Sequence, residues 1–596
     1  AAPGPMLARL APAVAVGALA AWAWPQLADA TRLWIWDDYT YHLVYPALWL
    51  REHAIAAVTP AHAFTMQAWY PLSASVVATW FMAPFAPLRG DALAWVSLTG
   101  VLYGALVATG MATLLARLGC RAGAWALPVA AFATSPRIGI MASSFSDADL
   151  AHAAALFAAV VLAVQCAEAE RSGDIVVDTV YAALLSGVAL GMKVSAAPAA
   201  AIVLVMLVLR TGTVTRWPRA LAQVGVIAAA GWTATAGYWY LRNVAHTGNP
   251  VYPAKFLWWP GGTFPHTTLR EYAAHYGLAR TLRDALAVYL DWPLFHALLA
   301  VAGLGGLAVV LAVRRGAVSR AQRYFAGGAL AIAIVTLLAL PSTPYSAGNG
   351  MTFVSGFIHW DSMRYVALLP LLGWTAAGML LAGGAGAPAS RLVAGLVVIA
   401  AMLGLANVGL VAGASALGVA FVYVVLAARA PALGRRAALA VVLLLTGAAA
   451  AGVAFAHRGK AEATGAAFFR EPLYGRALAV LDREAPGTRV ALYGDQWVYP
   501  AFGSRHHLVP VRLDGDGRLA SLPIGDAMTP GPLTVDPHTF RANLRTAGVG
   551  VIAVVHLPHP GRAPDWPPQA TALDAVGGVR LLYRDAAVGL WKVEGP

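Results

Sequence analysis

The chain has 596 residues, of which 59% are hydrophobic and 12% charged, and its mean hydropathy is +0.65, which excludes a set of water-soluble domains. Repeated apolar runs of roughly 18 or more residues, each able to cross about 30 Å of hydrocarbon, define a polytopic α-helical membrane protein, and the alternating polarity of a barrel is missing. A net charge of +13, from 41 Lys and Arg against 28 Asp and Glu, would suggest nucleic acid in a soluble chain; here it is assigned to cytoplasmic turns, and no nucleic-acid partner is expected.

Apolar runs bounded by charge predict about thirteen spans, near 8–28, 92–116, 123–142, 149–167, 175–192, 194–210, 220–241, 293–313, 324–340, 364–383, 392–410, 411–428 and 437–456. The first lacks a small-residue cleavage site and is read as a true span rather than a signal peptide. The apolar segment Trp69 to Leu88 is read as interfacial or re-entrant, because a full crossing there would put Arg117 and Arg121 outside. With that choice the short-turn arginines, among them Arg9, Arg171, Arg216, Arg314 and Arg435, face the cytoplasm of a bacterial inner membrane. The N-terminus is then cytoplasmic and the C-terminal tail extracytoplasmic. Cys120 and Cys166 are too few for a disulfide framework and are read as packing.

Two long outer loops follow from this threading, Thr31 to Asp91 and Arg242 to Trp292. In the first, Tyr39 to Ala57 is expected to be a helix lying in the interface, with Trp49, Leu50 and Ile55 towards lipid. The second is expected to turn at Trp258 to Gly262 and to form a helix around Thr267 to Leu290. From about His457 the composition shifts to Gly, Pro, charge and short β-rich runs: Arg489 to Tyr493, Gly548 to Val555, Val579 to Tyr583 and Val588 to Val593. These predict a membrane domain over 1–456 and an extracytoplasmic α/β domain over 457–596.

Candidate chemistry gathers at the outer face. In Trp34 to His42, Asp37 and Asp38 stand side by side at a membrane boundary, which is costly unless one binds a proton donor, a cation or a substrate hydroxyl. The alternative is a solvated N-cap. Asp147 and Asp149 form a second acidic motif, again either caps or a carboxylate pair able to take a proton from an acceptor hydroxyl. Lys193 is a compact charge suited to a phosphate, or else snorkels to headgroups. Arg242 precedes a shaped turn through Gly248, Asn249, Pro250 and Pro253. His359, Asp361 and Arg364 lead into a late helix, where a guanidinium can clamp a phosphate bidentately; an interfacial aromatic and arginine belt is the alternative. His506, His507, His556 and His559 lack the pattern of a metal site and are read as surface histidines.

In their order and common side these motifs resemble the GT-C superfamily of integral-membrane glycosyltransferases, which use polyprenyl-phosphate sugars, in the branch of the protein O-mannosyltransferases and the lipid A aminoarabinose transferase. The resemblance covers about Arg9 to His457. It implies that Asp37 or Asp38 is the first-loop catalytic acid, Asp147 or Asp149 the second-loop acid, and Lys193 with Arg364, helped by Arg242, the donor-phosphate binders. Tyr39, His42, His359 and Asp361 are then placed to meet donor or acceptor sugar. The implied reaction is inverting transfer to an extracytoplasmic lipid, glycan or protein, with no required cofactor; a divalent cation between Asp37 and Asp149 is left open. The first loop reads Asp-Asp-Tyr instead of the mannosyltransferases' Asp-Glu, which leaves the acceptor open. Rival readings are a transporter or flippase of a lipid-linked anion, expected to show broken helices in two related halves, a polymerase or ligase using a lipid diphosphate, and a non-catalytic membrane scaffold.

Overall fold

The structure is a computed structural model, and the residues it describes are 38–55, 66–84, 98–120, 123–135, 148–254, 258–261, 294–313, 318–339, 366–382, 474–494, 497–520, 533–555 and 568–594, with short stretches between them. In chain order the membrane-part helices are α1 Val44–Glu52, α2 Ser73–Met82, α3 Leu98–Arg117, α4 Ala126–Thr134, α5 Ala148–Glu168, α6 Ser172–Met192, α7 Ala197–Gly212, α8 Trp217–Thr235, α9 Gly237–Thr247, α10 Leu294–Val313, α11 Arg320–Ala339 and α12 Leu368–Ala382.

Helix α5 is the centre of the bundle. It is apolar all round and buried on every side, as a helix enclosed by others must be. Its alanines at 151, 153, 154, 155, 158 and 159 let α3, α6, α7, α11 and α12 approach closely. Among the described residues five helices are long and apolar enough to cross a membrane, six if α8 and α9 count as one broken span. All five match expected spans within a few residues, α3, α5, α6 and α11 among them. The fifth is the run Val194–Gly212, which contains α7. The spans expected at 392–410, 411–428 and 437–456 lie outside the described residues.

Three expectations need correction. The helix expected to run unbroken over 123–142 is interrupted after Thr134, where Ser135, ahead of Pro136, is extended at φ −71° and ψ 117°; Ile138 and Met141 are helical again. The single helix expected over 220–241 is two, α8 and α9, bent by 74° at Ala236. No proline causes this; Gly237 weakens continuity and the α6 backbone packs against Thr235 and Ala236 at the break. Thr267 and Thr268 do not begin a helix but form a short strand, β1, antiparallel to β2 at Pro344–Tyr345. Helix α2, at 10 residues, rises about 15 Å, too little to cross, as an interfacial or re-entrant segment requires.

The C-terminal part is a mixed five-stranded sheet with α13 Gly475–Leu481, α14 Pro537–Thr546 and α15 Pro568–Asp574. Strands β3 Arg489–Gly494, β4 Val509–Arg512, β5 Val549–Val555, β6 Val579–Arg584 and β7 Val588–Val593 lie in the order β4-β3-β5-β7-β6. The pairs β3/β4 and β3/β5 are parallel, and β7 runs antiparallel to β5 and β6. Gly494 has φ +81°, and a Cβ there would fall on the Val555 carbonyl oxygen, so only glycine ends β3 this way.

Side-chain alternation divides the sheet's two faces. Ala491, Tyr493, Ile552, Val554 and Trp591 pack with Phe540, Leu544 and Leu573 around α14 and α15. Val490, Leu492, Val551, Ala553, Val555 and Leu590 instead share a core with Tyr41, Leu43, Val44, Tyr45, Leu48 and Trp49 of the first long loop. Trp49 is therefore not turned to lipid. It is 3% exposed and stacks on Trp239 of α9, 6.2 Å between ring centres, while Ile55 stays exposed. His506 and His507 are half-buried rather than superficial, and the His506 ring nitrogen Nε2 pairs with the Tyr499 hydroxyl at 2.8 Å.

Candidate functional site

Asp149 sits in the first turn of α5, where the positive end of the helix dipole favours an anion. Lys193 follows the last turn of α6, where a cation is favoured for the converse reason. Its backbone is extended, at φ −156° and ψ 130°, and closes α6 before the turn Val194–Ala196 that starts α7. The two side chains form an ion pair through Nζ and Oδ1, the carboxylate 5% and the ammonium 19% exposed. One turn along α5, His152 is buried beside this pair and donates from Nδ1 to the Ala148 carbonyl at 2.9 Å. Both charges act on its ring. The sequence reading missed His152, although its i+3 spacing from Asp149 places both on one helix face.

Helix α2 connects this pair to the first outer loop. Met192, Ala148, Ala151 and Ala74 form one small apolar cluster between α5, α6 and α2. Gly191 lets α2 in, since a Cβ there would lie 2.5 Å from Ser73 Oγ and 2.9 Å from the Thr235 carbonyl oxygen. From the same helix, Ser75 Oγ pairs with His42 Nδ1 at 3.3 Å, and Ser73 Oγ accepts from Trp239 Nε1 at 2.8 Å. His42 is the last residue of a π-helical turn, Asp38–His42, packed on α1. Asp38 and Tyr39 open that turn, and only their backbone is described.

Arg242 lies within α9 and not in the loop after it, which corrects the sequence expectation. Its guanidinium packs over Trp69 and Trp239, 5.5 and 5.1 Å from their ring centres. It donates to Asn243 Oδ1 at 2.9 Å and to the Tyr70 carbonyl at 3.3 Å. These partners are neutral, and no carboxylate among the described residues pairs with it. Asn243 Nδ2 donates to the Trp69 carbonyl at 2.8 Å and, more weakly, to Pro250 and Tyr252, so one amide ties both outer loops together. The fully buried Asn249 closes the following turn through the carbonyls of Ala254 and Pro260, at 2.8 and 2.9 Å.

The structure thus brings Asp149 and Lys193 into direct contact and links them, through α2, to His42 and to the α9 segment that carries Arg242. Asp37, Asp147, His359, Asp361 and Arg364 lie outside the described residues. Among those that are described, no group of three or more His, Cys, Asp and Glu could hold a metal ion. Asp149, one half of the divalent site left open by the sequence, has the Lys193 ammonium beside its carboxylate, and Asp37, the other half, is outside the described residues. What the pair offers is a fixed ammonium for an anionic oxygen and a carboxylate held within reach of it.

A helical bundle around one buried helix, with short loop helices beside it and a mixed sheet packed onto them, is the architecture of the described residues. Two solved structures with this fold resemble the chain over its length. ArnT from Cupriavidus metallidurans bound to undecaprenyl phosphate matches with a TM-score of 0.58 and 16% identity, covering 100% of each chain. The apo state of the same protein matches with a TM-score of 0.55 and 17% identity over 98% of each chain. At these identities the likeness is one of fold. No family model and no curated protein matches the sequence.

Proposed function

We propose that the protein transfers a sugar from a polyprenyl-phosphate donor to an extracytoplasmic acceptor, with inversion at the anomeric carbon, in the bacterial cytoplasmic membrane. The observation that carries this reading is the Asp149–Lys193 pair, held at the meeting point of α2, α5 and α6 beside the acid-bearing first loop. It gains support from a structure of the same fold, similar along its whole length, that holds undecaprenyl phosphate, the species left when such a donor gives up its sugar.

In this mechanism the acceptor oxygen attacks the anomeric carbon while the bond from that carbon to the phosphate oxygen breaks. The electron pair goes to the phosphate, and the acceptor proton goes to Asp37 or Asp38. Lys193, with Arg364, meets the charge growing on the leaving phosphate, and Asp149 aims the ammonium until the donor arrives. Arg242, clasped between two indoles, adds positive field from behind instead of a direct ligand. His42 is suited to a sugar hydroxyl because Ser75 holds its ring. Tyr39, His359 and Asp361 keep the sugar-contact role the resemblance implies, Asp147 stays the alternative second-loop acid, and the domains keep the boundary near residue 457.

The test is turnover of an undecaprenyl-phosphate-linked sugar by purified protein after Asp37→Asn, Asp38→Asn and Lys193→Ala. Lys193→Ala and one of the two Asn variants should lose at least about a hundredfold in rate. Full activity in all three folded variants overturns the reading. The break between α8 and α9 is the one feature that favours a transporter instead; vesicles that move a lipid-linked sugar across the bilayer without breaking its glycosidic bond would decide for it.

A further inference from the structure

We propose that the C-terminal domain positions the acid-bearing turn Asp38–His42, acting through Phe502 and Tyr499. This deepens the function proposed above and rests on its reading that the base stands at this turn, as Asp38 or as its neighbour Asp37. The turn is a π-helical one, a form of low intrinsic stability that persists only where neighbours hold it. On the membrane side His42 is held by Ser75 of α2. The C-terminal domain covers the same turn.

Three independent features make that cover specific. The short helical turn Tyr499–Phe502 packs against both Asp38–His42 and α1. Phe502 is among the largest fully buried side chains of the protein, and Tyr499 is buried beside it with its hydroxyl on His506. Arg51, at the end of α1, donates from Nη1 to the Leu508 carbonyl at 3.3 Å, which ties the loop helix to the chain just before β4. Finally, the sheet face formed by Val490, Leu492, Val551, Ala553 and Leu590 completes its core with first-loop side chains. Apart from the Tyr499–Phe502 turn, the domain's own helical cover on that face is α13, seven residues long, among the described residues. The loop helix therefore serves as a layer of the C-terminal fold, and the sheet fixes where the acid-bearing turn stands.

The experiment is amide hydrogen exchange on the full-length protein in lipid nanodiscs, comparing wild type with Phe502→Leu, Phe502→Ala and Arg51→Gln. Exchange across 39–45 should accelerate at least about tenfold in Phe502→Ala, and less in the other two, while 150–190 stays unchanged. Phe502→Met, which keeps the volume, should restore protection. Turnover, where measured, should fall in kcat with KM and undecaprenyl phosphate binding unchanged. Unchanged protection at 39–45 in all three variants overturns the proposal, whether or not 489–511 loosens. If Phe502→Ala unfolds the domain, Phe502→Leu and Arg51→Gln decide by the same peptides. The exchange arm needs no substrate, so a failed transfer assay would sink the function and leave this inference to stand or fall on its own.

Discussion

Lys193→Met removes the ammonium that pairs with the Asp149 carboxylate inside the bundle. Breaking a buried pair by removing one member costs about 3–5 kcal/mol, and the 19% exposure of the Lys193 side chain places this site at the lower end, about 3 kcal/mol. Asp149→Asn is milder, about 1–2 kcal/mol, because the Lys193 ammonium sits on a flexible stem that can reach water. The double variant carries neither charge, so the effects should not add: a coupling of about 2–3 kcal/mol is expected. Equilibrium unfolding of the four proteins in one detergent measures it. Additivity within about 0.5 kcal/mol would refute the direct ion pair and with it the site built on it.

Gly191→Ala would push a methyl against Ser73 Oγ and the Thr235 carbonyl, so α2 must shift; a loss of about 1–3 kcal/mol is expected in the same unfolding assay, and a neutral result would mean that α2 does not seat there. Asn243→Ala strips the acceptor from Arg242 and the donor from the Trp69 carbonyl, and should cost about 3 kcal/mol and open the 248–262 turn to limited proteolysis. Burial, with the neighbouring His507, pushes the His506 pKa down to about 4 from the 6.5 of a free histidine. The unfolded chain therefore takes up this proton first, so the domain's stability is complete above about pH 6.5 and declines as pH falls towards 4, by up to about 3 kcal/mol less what partial solvent contact removes. Thermal melts between pH 7 and 4.5 should flatten in His506→Gln; parallel curves would show that His506 is not the titrating group.

Four of the five C-terminal strands were legible from runs of β-branched and apolar residues. The fifth, Val509–Arg512, was hidden by Pro510, which an edge strand tolerates and a central one does not. The spans α3, α5 and α6 were legible because charges bound them. The break at Ala236 was not, since apolar residues run through it and its cause is contact with α6. Trp49 was misread for a similar reason: periodicity marks an apolar side, and only the tertiary fold says whether lipid or another domain covers it. At the site, threading the helices put Asp149 and Lys193 on one side of the membrane, but 44 residues separate them, and nothing local in the sequence encodes their contact. His152 stands three residues after Asp149, a spacing that puts it on the same helix face and could have marked it.

The joint core between the first loop and the distant sheet has a consequence for biosynthesis. Tyr45 and Trp49 leave the ribosome roughly 440 to 540 residues before β3, β5 and β7, a delay on the order of a minute at ordinary elongation rates. Throughout that interval Trp49 has Trp239 of α9 to stack on, but the side of the loop that the sheet will cover is bare and is a natural substrate for chaperones and the membrane interface. A protein truncated before the sheet would remain in that immature state, so the final strand acts as a checkpoint for completing the first loop.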